Sequence, residues 1–119
     1  MLSFKNRFHG RGGIRYVYMH GDAVRSRVLT CKHVANPRRT QPRIAVVISK
    51  KVLKSAVGRN RVRRRLYELM RRKINILPHG SDVVLIVGSP EIRTMPAEEL
   101  ETLLDQVLSE AGLNKTPEN

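Results

Sequence analysis

Residues 49–72 read SKKVLKSAVGRNRVRRRLYELMRR, and the fold and use of the chain turn on this stretch. At about 100° per residue, Val62, Leu66, Leu69 and Met70 fall on one arc, spaced i, i+4, i+7 and i+8. Arg61, Arg64, Arg65, Arg71 and Arg72 fall on the opposite arc. The pattern predicts an amphipathic helix from about Val57 to Ile76, ended by Pro78-His79-Gly80, with one face on a core and the other carrying guanidinium groups. Between Arg59 and Lys73 stand eight Arg or Lys residues and one acid, Glu68. A solvated helix face mixes signs at i, i+4 to limit self-repulsion. This face barely does, which favours a polyanionic partner over plain solvation. Guanidinium is planar, permanently charged and suited to a two-pronged grip on phosphate.

Working outward, Ile44–Ile48 is an apolar run, β-branched except for Ala45, and reads as a buried central strand. It delivers Ser49-Lys50-Lys51 to the start of the basic helix, where lysines make sense as phosphate ligands. Val83–Val87 is a second run of strand type, closed by Ser89-Pro90. The strand–helix–strand passage predicts a parallel pair, right-handed by the general rule for such crossovers. Ala97, Leu100, Leu103, Leu104, Val107, Leu108 and Ala111 keep helical spacing, with Pro96, Glu98 and Glu99 suited to the first turn and Gly112 as the stop. Upstream, Ile14–His20 predicts a short helix stopped by Gly21. Arg27–His33 predicts a strand with Leu29 and Cys31 on one side and Val28, Thr30 and Lys32 on the other. Asn36–Pro42 reads as a loop. The expected architecture is a single α+β domain over residues 14–112, a small central sheet with a short N-terminal helix, the long basic helix and a C-terminal helix. Residues 1–13 read as a basic flexible arm and 113–119 as a flexible tail.

Charge is distributed unevenly. Residues 1–73 carry 21 of the 23 basic residues and two acids, Asp22 and Glu68, whereas residues 74–119 carry two basic residues and eight acids. A one-sided basic footprint binds nucleic acid through counterion release, so affinity falls steeply with salt. The chain has 119 residues, long enough to bury a core, and aliphatic residues must fill it because there is no Trp and little Phe or Tyr. Cys31 is the single cysteine, so an intrachain disulfide and a cysteine-rich zinc site are excluded. It reads as a small buried strand residue. The four histidines have no ligand-like spacing, and no metal held by protein residues is expected. No apolar run approaches the roughly 20 residues of a membrane span, and no apolar signal segment follows the basic N-terminus, so a cytoplasmic setting is expected.

No catalytic constellation is present. Glu98, Glu99, Glu101 and Asp105 read as the solvated side of the last helix, and Gly10, Gly12 and Gly13 follow no strand and are no dinucleotide fingerprint. If the chain takes part in a reaction, it does so by positioning RNA or DNA. Heptads, Cys/His ligand sets and a helix–turn–helix are all missing, which disfavours a DNA-groove reader. RNA recognition relies on shape, phosphates and single strands stacked on exposed rings. Tyr16, Tyr18 and Tyr67 are the candidate rings, with half-burial in the core as the alternative for each.

Arg43–Glu68, RIAVVISKKVLKSAVGRNRVRRRLYE, resembles the signature of the bacterial ribonuclease P protein family: an apolar strand running into Ser49-Lys50-Lys51, then a helix bearing Arg59-Asn60-Arg61, the pair Arg63-Arg64 and Glu68. Ile14–Gly21, IRYVYMHG, is similar to the family's short first helix, and Arg27 matches a basic position at the start of the first strand. The resemblance runs from about Lys5 to Leu113. It implies a subunit that binds a large catalytic RNA, which removes the 5′ leader of precursor tRNA with RNA-bound magnesium. The protein itself supplies no catalytic residue and binds no cofactor alone. On that resemblance Arg59, Asn60, Arg61, Arg63 and Arg64 contact the catalytic RNA or its ions, with Lys50, Lys51, Lys54 and Arg65 beside them. Ile14, Tyr18, Thr30 and Lys32 line a cleft for the leader. The expected partners are the ribonuclease P RNA and precursor tRNA, with no membrane and no protein oligomer required. The resemblance also implies a left-handed crossover in place of the right-handed default. Ile14 and Lys32 stand where the family commonly has aromatic rings, the VLKSAVG linker is one residue longer than usual, and Tyr67 replaces a frequent Arg. The alternative is a ribosomal or ribosome-associated structural RNA binder; a sequence-specific DNA regulator is a weaker third.

Overall fold

The structure, a computed structural model, describes Asn6, Phe8 and residues 12–38, 40–78 and 80–113. Its elements are α1 (Gly12–His20), β1 (Asp22–Arg25), β2 (Leu29–Ala35), β3 (Arg43–Val47), α2 (Ala56–Lys73) with a 3₁₀ turn at Ile74–Ile76, β4 (Ser81–Val87), a 3₁₀ turn at Pro90–Arg93, and α3 (Ala97–Glu110). The strands form one sheet in the order β1-β2-β4-β3. β2 is antiparallel to both neighbours, and β3 pairs with β4 in parallel across α2, as the strand–helix–strand pattern requires.

Alternation along the strands gives the sheet two different faces. Leu29 and Cys31, Ile44 and Val46, and Val83, Leu85 and Val87 point to the main core, where Val62, Leu66 and Met70 of α2 meet Leu100, Leu104 and Leu108 of α3. Burial pushes the Cys31 thiol up to about 12, which keeps it protonated and inert. The opposite face carries a smaller cluster, in which Val17 of α1 is buried on Ala45 and Val84. α1 lies close because its stop is glycine: a Cβ at Gly21 would stand 2.7 Å from the His33 carbonyl oxygen.

The ends of the helices are set locally. The Ser55 hydroxyl accepts from the Gly58 N–H at 3.0 Å and caps α2. Gly112, at φ +73°, ends α3 in the left-handed region that favours glycine.

Several expectations are corrected. β1 was not foreseen: it has four residues and only Val24 turned partly inward, so there is no run to read. Val28 does not share a face with Thr30 and Lys32; it precedes β2 in the turn and is buried in the main core. α1 begins at Gly12, inside the segment assigned to an arm. Most of residues 1–13 lies outside the described residues, but Asn6 is docked, donating from Nδ2 to the Pro42 carbonyl at 2.9 Å. Most of 113–119 is also outside them. Leu113 is buried and donates its N–H to the Leu108 carbonyl, so the body extends one residue beyond Gly112.

Lys73 closes the basic run of the helix in sequence, but it does not share the exposed face. It is instead buried at the end of α2, its Nζ 3.0 Å from Glu101 and 2.8 Å from Asp105 of α3. Burial alone would lower the Lys73 pKa, but the hydrogen bonds to Asp105 and Glu101 outweigh it and hold the pKa above its ordinary value. The bond to Lys73 in turn lowers Glu101. A raised lysine stabilises the fold below its unfolded value and loses that contribution as pH rises through the folded one. A lowered glutamate contributes above its unfolded value and loses the contribution as pH falls. Glu101→Gln with Asp105→Asn is therefore expected to lower stability, modestly because solvent reaches both carboxylates. Urea unfolding of wild type and variant should differ most between the ordinary values of 4.5 and 10.5 and converge outside them. A pH-independent difference would remove the ion triad as its cause.

Candidate nucleic-acid interface

The link between β3 and α2 is a built loop. Ser49 accepts at its carbonyl from the N–H groups of Val52 and Leu53, both at 3.1 Å, and Leu53 is buried as its anchor. This turn leaves Lys50, Lys51 and Lys54 exposed beside the start of α2. The Arg59 guanidinium donates from one nitrogen to the Leu53 carbonyl at 2.8 Å and the Lys54 carbonyl at 2.9 Å, which ties the loop back to the helix.

Along α2 the cations divide into two kinds. Arg61 and Arg64 are exposed, and among the described residues neither has a carboxylate partner. Arg63 is half-buried and donates to Asn60 Oδ1 at 2.8 Å, which orients the Asn60 amide. Arg65 departs from its assignment to the RNA-facing set. Its guanidinium donates to the carbonyls of Ile92, Arg93 and Met95 at 3.1, 3.4 and 2.6 Å. The 3₁₀ turn at Pro90–Arg93 and the residues just after it present these oxygens together, and the planar guanidinium spans them. Glu68 is held down to about 2, chiefly by its hydrogen bond from Arg71, and so stays ionised and neutralises that one arginine.

The start of α2 has no acid in its first turn. Its N–H groups and the positive end of its dipole are surrounded by Lys50, Lys51, Lys54, Arg59 and Arg61. Cations there are unfavourable, by about 0.3–1 kcal/mol each at low salt, until an anion arrives. The arrangement suits phosphate.

On the α1 face, cross-strand register aligns the residues in rows. Arg25, Thr30, Ile86 and Val47 form the row at the end of the sheet where β3 enters the lysine loop; Ala23, Lys32, Val84 and Ala45 form the next. α1 sits over the inner rows, with Val17 on Ala45 and Val84, and the Arg25–Val47 row beside them forms a shelf on which Arg25 is exposed and Thr30, Ile86 and Val47 are half-buried, the last two packed against the edge of that cluster. Tyr18 is 40% exposed at the edge of this shelf, and the Lys32 ammonium stands 4.7 Å from the centre of its ring. Partial burial raises the Tyr18 hydroxyl above its usual pKa. Ile14 is half-buried against the small cluster. Of the four cleft residues, Thr30, Lys32 and Tyr18 are thus brought to the shelf, while Ile14 serves mainly as packing beneath α1. Sequence reasoning missed Arg25, whose strand is too short to show alternation.

At the far end of the same face, the Asp82 carboxylate is 1% exposed. Arg43 holds it in a two-pronged pair, Nε to Oδ1 at 2.9 Å and Nη2 to Oδ2 at 2.8 Å, and Asn36 Nδ2 donates to Oδ2 at 3.0 Å. The Phe8 ring lies 4.4 Å from the Arg43 guanidinium carbon. This cation and this acid are occupied by each other and belong to the fold. Among the described residues no group of three His, Cys, Asp or Glu side chains could hold a metal ion. No helix among them is long and apolar enough to cross a membrane.

Residues 2–112 match the family model for ribonuclease P. The chain is 35% identical over 112 residues to the ribonuclease P protein component of Pseudanabaena sp., covering 93% of this chain and 95% of that protein. It is 34% identical over 113 residues to the component from Chloroflexus aggregans, covering 95% and 82%. The fold superposes on the RNase P protein of Staphylococcus aureus with a TM-score of 0.82 over 92% of this chain and 98% of that one, at 21% identity.

Proposed function

The chain belongs to the ribonuclease P protein family, the protein component of an endoribonuclease that processes tRNA, and from that premise we propose how its surface is divided between two RNAs. The lysine loop and the outer side of α2, with Lys50, Lys51, Lys54, Arg59, Asn60, Arg61, Arg63 and Arg64, dock on the catalytic RNA. The shelf between α1 and the Arg25–Val47 row of the sheet takes the single-stranded 5′ leader of precursor tRNA. The observation that carries this reading is that Arg61 and Arg64, which have no carboxylate partner among the described residues, follow a loop leaving the end of the sheet where the shelf lies. One small domain then faces two polyanions side by side.

Bond cleavage in this reading belongs to magnesium held by the RNA, which generates the nucleophile and stabilises charge. In the same reading the chain contributes position and charge rather than chemistry. Holding a substrate in place can supply several kcal/mol without any catalytic side chain. A cytoplasmic ribonucleoprotein is the setting implied. A ribosomal role is not favoured, because relatives matched over nearly the whole chain are ribonuclease P components.

The test is reconstitution with the ribonuclease P RNA of the same organism, following cleavage of a 5′-extended precursor tRNA at low magnesium with and without the protein. Stimulated cleavage at the mature 5′ end is expected. Salt-sensitive RNA binding without stimulation would sink the division of roles and leave a general RNA-binding domain.

A further inference from the structure

Resting on the leader-shelf reading above, we propose that this protein grips the leader through its phosphates, with Lys32 as the specificity-determining contact, rather than by stacking a leader base on Tyr18. The geometry of the pair is the starting point. The Lys32 ammonium, 4.7 Å from the Tyr18 centroid, is in contact with the ring face turned toward the sheet. A base entering the shelf meets an ammonium there, not a free π surface.

The same contact leaves Lys32 underused. An ammonium has three donors and the ring engages at most one. Among the described residues no carboxylate or other acceptor takes the remainder. Arg25 is the diagonal cross-strand neighbour of Lys32, since it pairs with Thr30 two residues away. It is exposed and likewise has no acid partner among the described residues. Among the described residues the one buried acid on this face, Asp82, is at the far end and is occupied by Arg43 and Asn36. Two cations with no acid partner among the described residues, on the neighbouring strands β1 and β2 with Thr30 beside both and the half-buried Ile86 next to Thr30, make a phosphodiester track. Such a track holds a strand of any sequence, because the backbone carries the charge and the bases are left to solvent.

The experiment uses the reconstituted holoenzyme and compares precursor with mature tRNA binding for wild type, Lys32→Met and Lys32→Tyr. Leaders carry either single abasic sites or single uncharged methylphosphonate linkages, scanned along the strand. Lys32→Met is expected to weaken precursor binding about tenfold, the size of one charge-assisted contact, and to leave mature tRNA unchanged. Its salt slope for precursor should fall by about 0.7 per lost single-strand phosphate contact. One methylphosphonate position should reproduce the loss and add nothing further in Lys32→Met. Abasic leaders should bind within about twofold of native, far less than the loss of a stacked base would cost. Lys32→Tyr should restore sensitivity to abasic sites by freeing a ring pair for stacking. The proposal is overturned if abasic sites cost wild type about tenfold while methylphosphonates cost nothing, or if Lys32→Met changes precursor and mature binding alike. Equal binding of precursor and mature tRNA by wild type would instead remove the leader shelf itself, and the proposal with it. The Lys32 side chain is half-exposed and makes no hydrogen bond within the fold among the described residues, so circular dichroism should show the variants folded.

Discussion

Asp82→Ala is expected to lower the unfolding free energy by about 3–5 kcal/mol, the penalty for leaving a buried charge unpaired. Its carboxylate is nearly inaccessible and receives three hydrogen bonds, two from Arg43 and one from Asn36. Removing it leaves the Arg43 guanidinium, itself only 11% exposed, beneath the Phe8 ring with no anion. A small domain has only about 5–15 kcal/mol to lose, so the variant should be partly unfolded at modest urea. Arg43→Met with Asp82→Leu removes both charges and keeps most of the volume, and should recover much of the loss. Urea titrations followed by circular dichroism give both numbers. A loss under about 1 kcal/mol in the single variant would mean that water reaches the pair and that its burial is not what matters.

The second large effect is on binding rather than folding. Arg61→Ala with Arg64→Ala should weaken association with the ribonuclease P RNA by at least about tenfold at physiological salt and reduce the slope of log K against log salt by about 2. Both side chains are exposed and unpaired within the described residues, so their loss breaks no internal contact and unfolding should be unchanged. Arg65→Ala is the informative contrast. Its guanidinium is committed to the carbonyls of Ile92, Arg93 and Met95, so stability should fall while the salt slope moves little. Filter binding over a range of salt separates the two classes of arginine. An unchanged slope in the Arg61/Arg64 variant would take this side of α2 out of the RNA interface.

That contrast also marks how far the sequence could be read. α2, α3, β3 and β4 were legible because each carries a local signal: helical spacing in Val62–Met70 and Leu100–Leu108, and continuous apolar runs in the two parallel strands. The parallel pairing followed from the order of those elements. β1 was not legible, because a four-residue edge strand with one inward side chain has no period. The basic interface was visible as charge density, since like charges clustered on a helix are conspicuous in one dimension. The direction of each charge was not. Arg65 and Lys73 lie within the same basic run as Arg61, yet their partners are residues 92–95 and residues 101 and 105, far off in sequence. Asp82 similarly appeared as an isolated acid until the parallel register placed Arg43 opposite it. The leader shelf came from family resemblance alone. The Lys32–Tyr18 contact joins a strand to a helix, and nothing in the spacing of those two residues announces it.

The brace from Arg59 to the loop before it has a kinetic meaning. One nitrogen of the guanidinium closes the Leu53–Lys54 backbone against the first turn of α2, and Ser49 closes the other end of the same loop. A loop that had to be ordered on contact would charge each docking event for its lost freedom, at about 0.5–1.5 kcal/mol per immobilised long side chain before any backbone term. Here the backbone is ordered in advance, and only the tips of Lys50, Lys51 and Lys54 still have to settle. Encounter with RNA is then governed by diffusion and long-range attraction rather than by a folding step, which shortens the path from first collision to a seated complex.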